Sequence, residues 1–410
     1  MVSEVIQVEG HIIDSLILAK VMDIILAAGA DYRILEVEIG KTNADTSRAR
    51  LEVIIDDAES LRTLIDELQI QGANRVDQAD AELIAADRDG VLPAGFYSTT
   101  NLATSARIRG RWVDVEFPEM DCALVYGPDA SETGGGRLRA VPMHRVKAGD
   151  LVVVGTEGVR VSAPERPRGH SPFEFMNSDV SSEKPKALLV HEVSDRIRRA
   201  KEAGTKVLAV CGPAVIHTGA GPSVATLVRE GWIDVLFAGN GFAAHDLESN
   251  VMGTSLGVSV QEGTPKEGGH ANHLRVINEI RRYGSIAVAV DAGYIDGGVM
   301  YECVKRRVPF VLGGSVRDDG PLPDVYPNVV EAADAMRYFL PGVGVALMLA
   351  STLHAIATGN LLPAWVETYC IDINPAVVTK LADRGSHQAL GLVTDVGLFT
   401  SGLVDQLVGS

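Results

Sequence analysis

Residues 206–257, KVLAVCGPAVIHTGAGPSVATLVREGWIDVLFAGNGFAAHDLESNVMGTSLG, decide the fold. An apolar run, Val207–Val210, meets a break at Gly212-Pro213. The turn Gly219–Pro222 then opens a helical pattern with Val224, Leu227 and Val228 on one face. A second apolar run, Val235–Ala238, ends in Gly239-Asn240-Gly241, where another helix begins. Strand, turn, helix, strand, glycine turn, helix is how an open α/β sheet builds a ligand crevice at the carboxyl ends of its strands. Glycines let the backbone approach a phosphate, and a helix N-terminus offers free N–H donors. GAGPSV lacks the third glycine of the usual dinucleotide fingerprint, so the motif alone leaves dinucleotide binding open.

Outward from this stretch the alternation continues. The candidate strands are Val207–Val210, Val235–Ala238, Ile286–Val290, Pro309–Leu312, Glu367–Ile371 and Leu390–Val393, with helical patterns between them. Each is a continuous apolar run, as strands covered on both faces should be. The expected C-terminal domain, 206–410, is therefore a Rossmann-like parallel sheet of about six strands. Leu340–Trp365 carries no charged residue, but its prolines, glycines and His354 fit a helix buried in this domain better than a membrane span.

Upstream, residues 1–90 read as β-α-β-β-α-β, a ferredoxin-like α+β domain. Asp14 is the expected cap of a first helix reaching Ala28, and Asp57 or Ser60 of a second. A last strand is expected around Arg75–Ile84. Residues 91–165 carry short β-rich runs (Ala106–Val115, Ala123–Tyr126, Leu151–Val154) and the glycine triplet Gly134–Gly136, which fits a hairpin tip in a small β-subdomain. Residues 166–205 hold a Pro/Ser-rich linker and the amphipathic helix Ala187–Ala203.

The chain has 410 residues and a net charge of −17, which excludes a nucleic-acid binder that must neutralise phosphates with a basic face. Its N-terminus lacks the basic and apolar regions of a signal peptide. Four scattered cysteines (Cys122, Cys211, Cys303, Cys370) point to buried, reduced thiols in a cytoplasmic protein.

A parallel sheet gathers its chemistry at its strand ends. There stand Asn240 and Gly241, then Asp291 and Asp296, then Arg317, Asp318 and Asp319. Asp372 with Asn374-Pro375 follows, and finally Thr394 and Asp395. Asp372 is placed to accept both ribose hydroxyls of an adenosine and to repel a 2′-phosphate, which favours NAD over NADP; a helix cap is its structural alternative. Ser351, Thr352 and His354 either line the cleft or back-bond within their helix. The loop QEGTPKEGGHANH (261–273) offers Glu262, Lys266, Glu267, His270 and His273 for substrate contact or proton transfer. His270-x-x-His273 has no third ligand at a familiar spacing, so no metal is expected. Cys211 and His217 could form a nucleophile pair, although a structural thiol fits the apolar run better.

The segments VCGPAVIHTGAG, FAGNGFAAHDLESNVMGTSLG, EGGHANHLRVINEIRRYGSI, GGSVRDDGPLPDV and CIDINPAVVTKLADRGSHQALGLVTDVGLF closely resemble the archaeal-type ornithine cyclodeaminase family. Its members carry an N-terminal region named after lysine-oxoglutarate reductase/saccharopine dehydrogenase. They look like the C-terminal module of the arginine dihydrolase–ornithine cyclodeaminase fusions, and their NAD-binding fold is deoxyhypusine synthase-like. The resemblance implies conversion of L-ornithine to L-proline and ammonia, with tightly bound NAD recycled within the site. It places cofactor contacts at Asn240, Gly241, Asp319, Ser351, Thr352, Leu353, His354, Asp372, Asp395 and Val396. The proton shuttle this chemistry needs has Glu262, His217 and Asp291 as candidates. Arginine hydrolysis is not expected, and a homo-oligomer is. Three other readings remain: a net NAD-dependent amino-acid dehydrogenase of the saccharopine kind, a non-enzymatic NAD or amino-acid sensor, and transfer to a protein lysine as in deoxyhypusine synthase.

Overall fold

A computed structural model describes all residues except 14–15, 42–44, 77–78, 129–135, 163–179, 182–185, 256–257, 260–270, 317–319, 384–388 and 410. The chain divides into two units, Met1–Met176 with Asn360–Ala364, and Asn177–Gly359 with Trp365–Ser410.

The first unit opens with β1 (Val2–Gly10), α1 (Ile17–Ala27), β2 (Asp31–Glu38), β3 (Ser47–Ile55), α2 (Ala58–Ile70) and β4 (Ala73–Arg75). The sheet order is β2-β3-β1-β4, antiparallel throughout, which is the ferredoxin-like arrangement. Alternate residues Ile6, Val8, Leu51 and Val53 face one side, where Val21 and Ile25 of α1 and Leu64, Ile65 and Leu68 of α2 cover them. Asp57 caps α2 by accepting the N–H groups of Glu59 and Ser60. Asp14 lies outside the described residues. Leu16, inside the first helix expected from Asp14 to Ala28, instead precedes α1 at φ 58° and is exposed.

The strand expected around Arg75–Ile84 is two strands. β4 stops at Arg75, and β5 (Glu82–Ala85) enters another sheet. Between them Asp80 turns aside, accepts the Gly110 N–H at 2.9 Å and pairs with Arg107 at 3.3 Å. The remaining strands are β6 (Thr104–Ile108), β7 (Arg111–Asp114), β8 (Ala123–Gly127), β9 (Arg137–Val141), β10 (Leu151–Val154) and β11 (Val159–Val161). They form two small antiparallel sheets, β5-β10-β8-β9 and β11-β6-β7, around Leu124, Leu138, Val153 and Val159. Gly134 and Gly135 lie outside the described residues.

The second unit begins with β12 (Val180–Ser181) and α3 (Lys186–Glu202). Next come β13 (Lys206–Cys211), α4 (Ala214–His217), α5 (Gly221–Arg229), β14 (Val235–Gly239), α6 (Asn240–Met252), β15 (Thr254–Ser255) and β16 (Val258–Ser259). The chain continues through α7 (Asn272–Tyr283), α8 (Ile286–Asp291), α9 (Val299–Arg306), β17 (Phe310–Gly313), β18 (Val325–Tyr326) and α10 (Val329–Phe339). It closes with β19 (Val343–Leu349), α11 (Leu353–Leu361), β20 (Glu367–Asp372), α12 (Pro375–Asp383), β21 (Ala389–Val393) and α13 (Val396–Leu407).

Among the described residues, eight parallel strands run in the order β12-β21-β20-β19-β13-β14-β17-β18. Val207 to Cys211 is wholly buried, as a strand with helices on both faces must be. The Rossmann-like sheet is thus observed, with two departures from the pattern read in the sequence. Ile286–Val290 is a helix. Ser285 caps it by accepting the Val288 N–H, and its buried residues Ile286, Ala289 and Val290 fall at helical spacing, leaving Val288 exposed. The uncharged stretch Leu340–Trp365 is not one helix. Gly342 at φ 85° and Ala350 at φ 46° bracket the strand β19, and only then does α11 begin. Apolar runs of this length do not distinguish a buried strand from a buried helix by periodicity. Two short edge strands, β12 and β18, complete the sheet.

Candidate active site

Strand order reverses at β13. The chain leaves it for β14, β17 and β18 on one side, then returns as β19 on the other. The crevice of an open α/β sheet lies at such a switch point, above the carboxyl ends of the two strands. Here those ends are Cys211-Gly212 and Leu349-Ala350, and they touch. A Cβ on Gly212 would lie 2.7 Å from the Ala350 carbonyl carbon, so only glycine fits.

The turn out of β19 carries Ser351 to His354. Ser351 is buried, and the Thr352 carbonyl accepts the Ile356 N–H to start α11. Leu353 is exposed, and His354 is half-buried. The His354 ring lies across the ends of β14 and β17: a Cβ on Gly239 would stand 2.7 Å from its Nε2, and one on Gly313 3.0 Å from its Cε1. Two glycines thus make a slot for one imidazole. Asn240 opens α6 with its Oδ1 accepting the Leu322 N–H at 3.0 Å, and Gly241 packs against the Pro213 ring. Among the described residues no side chain caps α6, which leaves its first N–H groups and positive dipole end at the carboxyl end of β14 for an anion.

Across the crevice, the half-buried Asp372 ends β20. Its Oδ1 accepts the Asn374 N–H at 2.8 Å, and Asn374 in turn accepts the Ala376 N–H at the head of α12. The cap is therefore Asn374, and Asp372 braces the turn through one oxygen. Asp395 caps α13 through the Leu398 N–H at 2.9 Å, beside the buried Val396. Between these two acids the Thr394 hydroxyl is buried with no hydrogen-bond partner among the described residues. A buried orphan hydroxyl calls for a ligand or water. The orphan hydroxyl, the glycine-lined imidazole slot and the Asp372 carboxylate all fit a dinucleotide laid across this edge. Asp319 and Glu262 lie outside the described residues.

Next to the crevice stands a group of histidines. His217 ends α4, and its Nδ1 lies 2.7 Å from the Ser255 hydroxyl. Its ring is 4.8 Å from that of His245 on α6, which is 6.3 Å from His273 on α7. His245 Nδ1 is 3.3 Å from Glu248, and Glu248 is wholly buried. Burial holds the His217 imidazole below its ordinary pKa, the neighbouring His245 adds to this, and Glu248 opposes it. The ring is thereby biased toward its neutral, proton-accepting form. His245 and Glu248 escaped the sequence reading; the available signal was a His-x-x-Glu pair at helical spacing just after the Gly239-Asn240-Gly241 turn.

One expectation changes here: Asp291 is the exposed last residue of α8 and so does not occupy a strand end. Cys211 is the structural thiol expected of an apolar run: it is wholly buried, and burial with the nearby Asp246 pushes its thiol well up.

A parallel sheet with a glycine-lined switch-point crevice and a neutral imidazole beside it defines a Rossmann-type dinucleotide enzyme domain. Comparison with known proteins narrows the class. Residues 191–403 match the family model for the C-terminal Rossmann fold of ArgZ-like arginine dihydrolases, 103–190 the first region of that C-terminal part, and 3–102 the conserved region of the LOR/SDH bifunctional enzyme. The ornithine cyclodeaminase of Methanopyrus kandleri is 50% identical over 405 residues, covering 98% of this chain and 97% of its own. The crystal structure of apo ArgZ, a cyanobacterial arginine dihydrolase, superposes with a TM-score of 0.84 at 38% identity, covering 99% of this chain and 58% of that one. AgrE of Nostoc sp., solved as a ternary complex with ornithine and NAD+, gives 0.53 at 42% identity, covering 99% and 57%. The chain belongs to the archaeal-type ornithine cyclodeaminase family.

Proposed function

We propose that this protein is an ornithine cyclodeaminase that converts L-ornithine to L-proline and ammonia while retaining and recycling NAD. The observation that carries the reading is the juxtaposition, in one unit, of the switch-point crevice and the His217 group. AgrE, related over nearly the whole of this chain, is named as binding both ornithine and NAD+. Bound NAD would supply the redox chemistry, taking hydrogen from the substrate Cα and giving it back after ring closure.

The remaining work falls to the chain. The uncapped head of α6 at Asn240 and Gly241, with Ser351–His354 from β19, holds the pyrophosphate and nicotinamide side. Asp372 accepts the ribose hydroxyls, and Asp395, Val396 and Thr394 line the adjoining edge. His217 takes a proton from a substrate ammonium group, freeing its lone pair, and returns one to the departing amine. Glu262 is a second candidate for this role, and Asp291 a weaker one given its exposed position.

The protein works in the cytoplasm as a homo-oligomer contributing to proline biosynthesis. Four buried free thiols suit a reducing compartment, and no helix among the described residues is long and apolar enough to cross a membrane.

The test is incubation of the purified protein with ornithine and NAD+, following proline, ammonia and absorbance at 340 nm together. Proline and ammonia in equal amounts without NADH accumulation are expected. Steady NADH accumulation would replace the reading with a net dehydrogenase, and NAD+ binding without turnover would replace it with a sensor.

A further inference from the structure

Helix α6 divides its polar residues between two faces. Asp246 and Asn250 turn toward the start of α9. His245 and Glu248, one turn apart, turn toward α4, β15 and α7. The second face carries chemistry. Glu248 Oε1 lies 2.8 Å from the Thr254 hydroxyl, and that hydroxyl accepts the Asn272 Nδ2–H at 2.9 Å. The Thr254 proton is therefore directed at Glu248, and the carboxylate is an acceptor. Its Oε2 meets His245 Nδ1 at 3.3 Å. A carboxylate acceptor assigns that nitrogen the proton and leaves Nε2 with the lone pair. Thr254 and His245 thus both donate to Glu248, and the ring that this carboxylate orients stands 4.8 Å from His217.

We propose that Glu248 and His245 are positioning residues for proton transfer at His217, the buried carboxylate fixing the His245 tautomer so that carboxylate and neighbouring imidazole together set the proton affinity of His217. The assignment rests on the cyclodeaminase reading. The balance is simple. An N–H bond of the substrate ammonium breaks and its proton passes to His217. The transient imidazolium is stabilised by the Glu248 carboxylate and held from over-stabilisation by the intervening His245, and an N–H bond re-forms on the amine that leaves as ammonia. A buried carboxylate behind an imidazole both orients the ring and favours its protonated form. Ser255 holds the other side of His217 through Nδ1.

The titratable groups facing His217 fix the sign of the test. They are His245 and Glu248 from α6 and His273 from α7. Asp395 stands at the head of α13, whose Gly397 approaches the Thr218 carbonyl. His245 pulls the His217 pKa down, and Glu248 pulls it up.

Two variants test the pair. Glu248→Gln is expected to lower kcat by about 10- to 100-fold and move the acid limb of its pH profile to lower pH. His245→Gln is expected to lower kcat similarly and move that limb to higher pH. In both, NAD+ retention and KM for ornithine stay near wild type. His245 keeps 12% of its side chain exposed, so the second variant carries the test if the first does not fold. Opposite shifts support the pair, since a merely structural role would not split the two variants by sign. Wild-type kcat with an unmoved acid limb in both would overturn it.

A readout independent of turnover separates this proposal from the proposed function. Histidine 15N NMR of the wild-type protein should show His245 as the Nδ1–H tautomer, and His217 should titrate lower in Glu248→Gln and higher in His245→Gln. An Nε2–H tautomer at His245, or an unchanged His217 titration, would overturn the pairing whatever the enzyme's activity.

Discussion

Asp246→Asn should abolish the pH dependence of one part of the C-terminal unit's stability. Asp246 is buried at the start of α9, where its two oxygens accept the N–H groups of Val299 at 3.0 Å and Met300 at 2.8 Å. Gly298, at φ 97°, gives it room, since a Cβ there would lie 2.8 Å from Asp246 Oδ2. Desolvation outweighs these bonds and raises its pKa from 3.8 to about 6. A raised acid stabilises the folded state fully below its unfolded pKa, and that stability is lost as pH rises through the folded value. At 1.36 kcal/mol per pKa unit, this shift corresponds to about 3 kcal/mol lost between roughly pH 4 and pH 6–7. Asparagine cannot ionise, but its NH2 group must oppose one of the two N–H donors, at a cost of about 1–3 kcal/mol at every pH. The variant should therefore be clearly less stable than wild type near pH 4.5 and nearly equal to it near pH 8. The assay is thermal or urea unfolding of both proteins across pH 4.5–8, analysed as the difference so that other titrating groups cancel. A difference that does not change with pH would refute the buried, raised carboxyl.

Gly239→Ala would place a methyl 2.7 Å from His354 Nε2, expelling the imidazole from its slot. NAD+ binding should weaken by about tenfold or more, measured by calorimetry, with modest loss of stability. Asp372→Asn keeps an oxygen to accept the Asn374 N–H but loses the charge proposed to accept the ribose hydroxyls. NAD+ affinity should fall by about 10- to 100-fold while the melting temperature barely moves. Ser285→Ala removes the cap of α8 and should cost about 1 kcal/mol in urea unfolding without changing NAD+ affinity.

Much of the sheet was legible because burial on both faces writes itself as unbroken apolar runs, as in Val207–Val210 and Val235–Ala238. The same rule misled at Ile286–Val290, where a fully apolar helix shows the same composition, and only Ser285 before it signalled a cap. It also hid β19, whose glycines and flanking Pro341 looked like interruptions in a helix. That omission explains the candidate site. Asp372, Thr394 and Asp395 were readable as residues after strands, whereas Ser351, Thr352 and His354 stood between cleft and helix interior, and only the resemblance chose between them, until β19 showed that they too follow a strand. Asp291 was placed by a strand that does not exist. His245 and Glu248 could not be found by position along the chain, because their meaning comes from α4, β15 and α7 closing around α6.

The contact between Gly212 and Ala350 also has a history in time. β13 pairs locally with β14, but its other neighbour is β19, with Leu208 beside Ala346 far along the chain. During synthesis the half-sheet β13-β14-β17-β18 and the histidine group are complete before β19 leaves the ribosome. Until then β13 presents a bare edge, the kind of long-range gap that slows folding and invites misassembly. The switch-point crevice is thus among the last features of the domain to exist, because it is formed only when the β19–β21 half docks on β13.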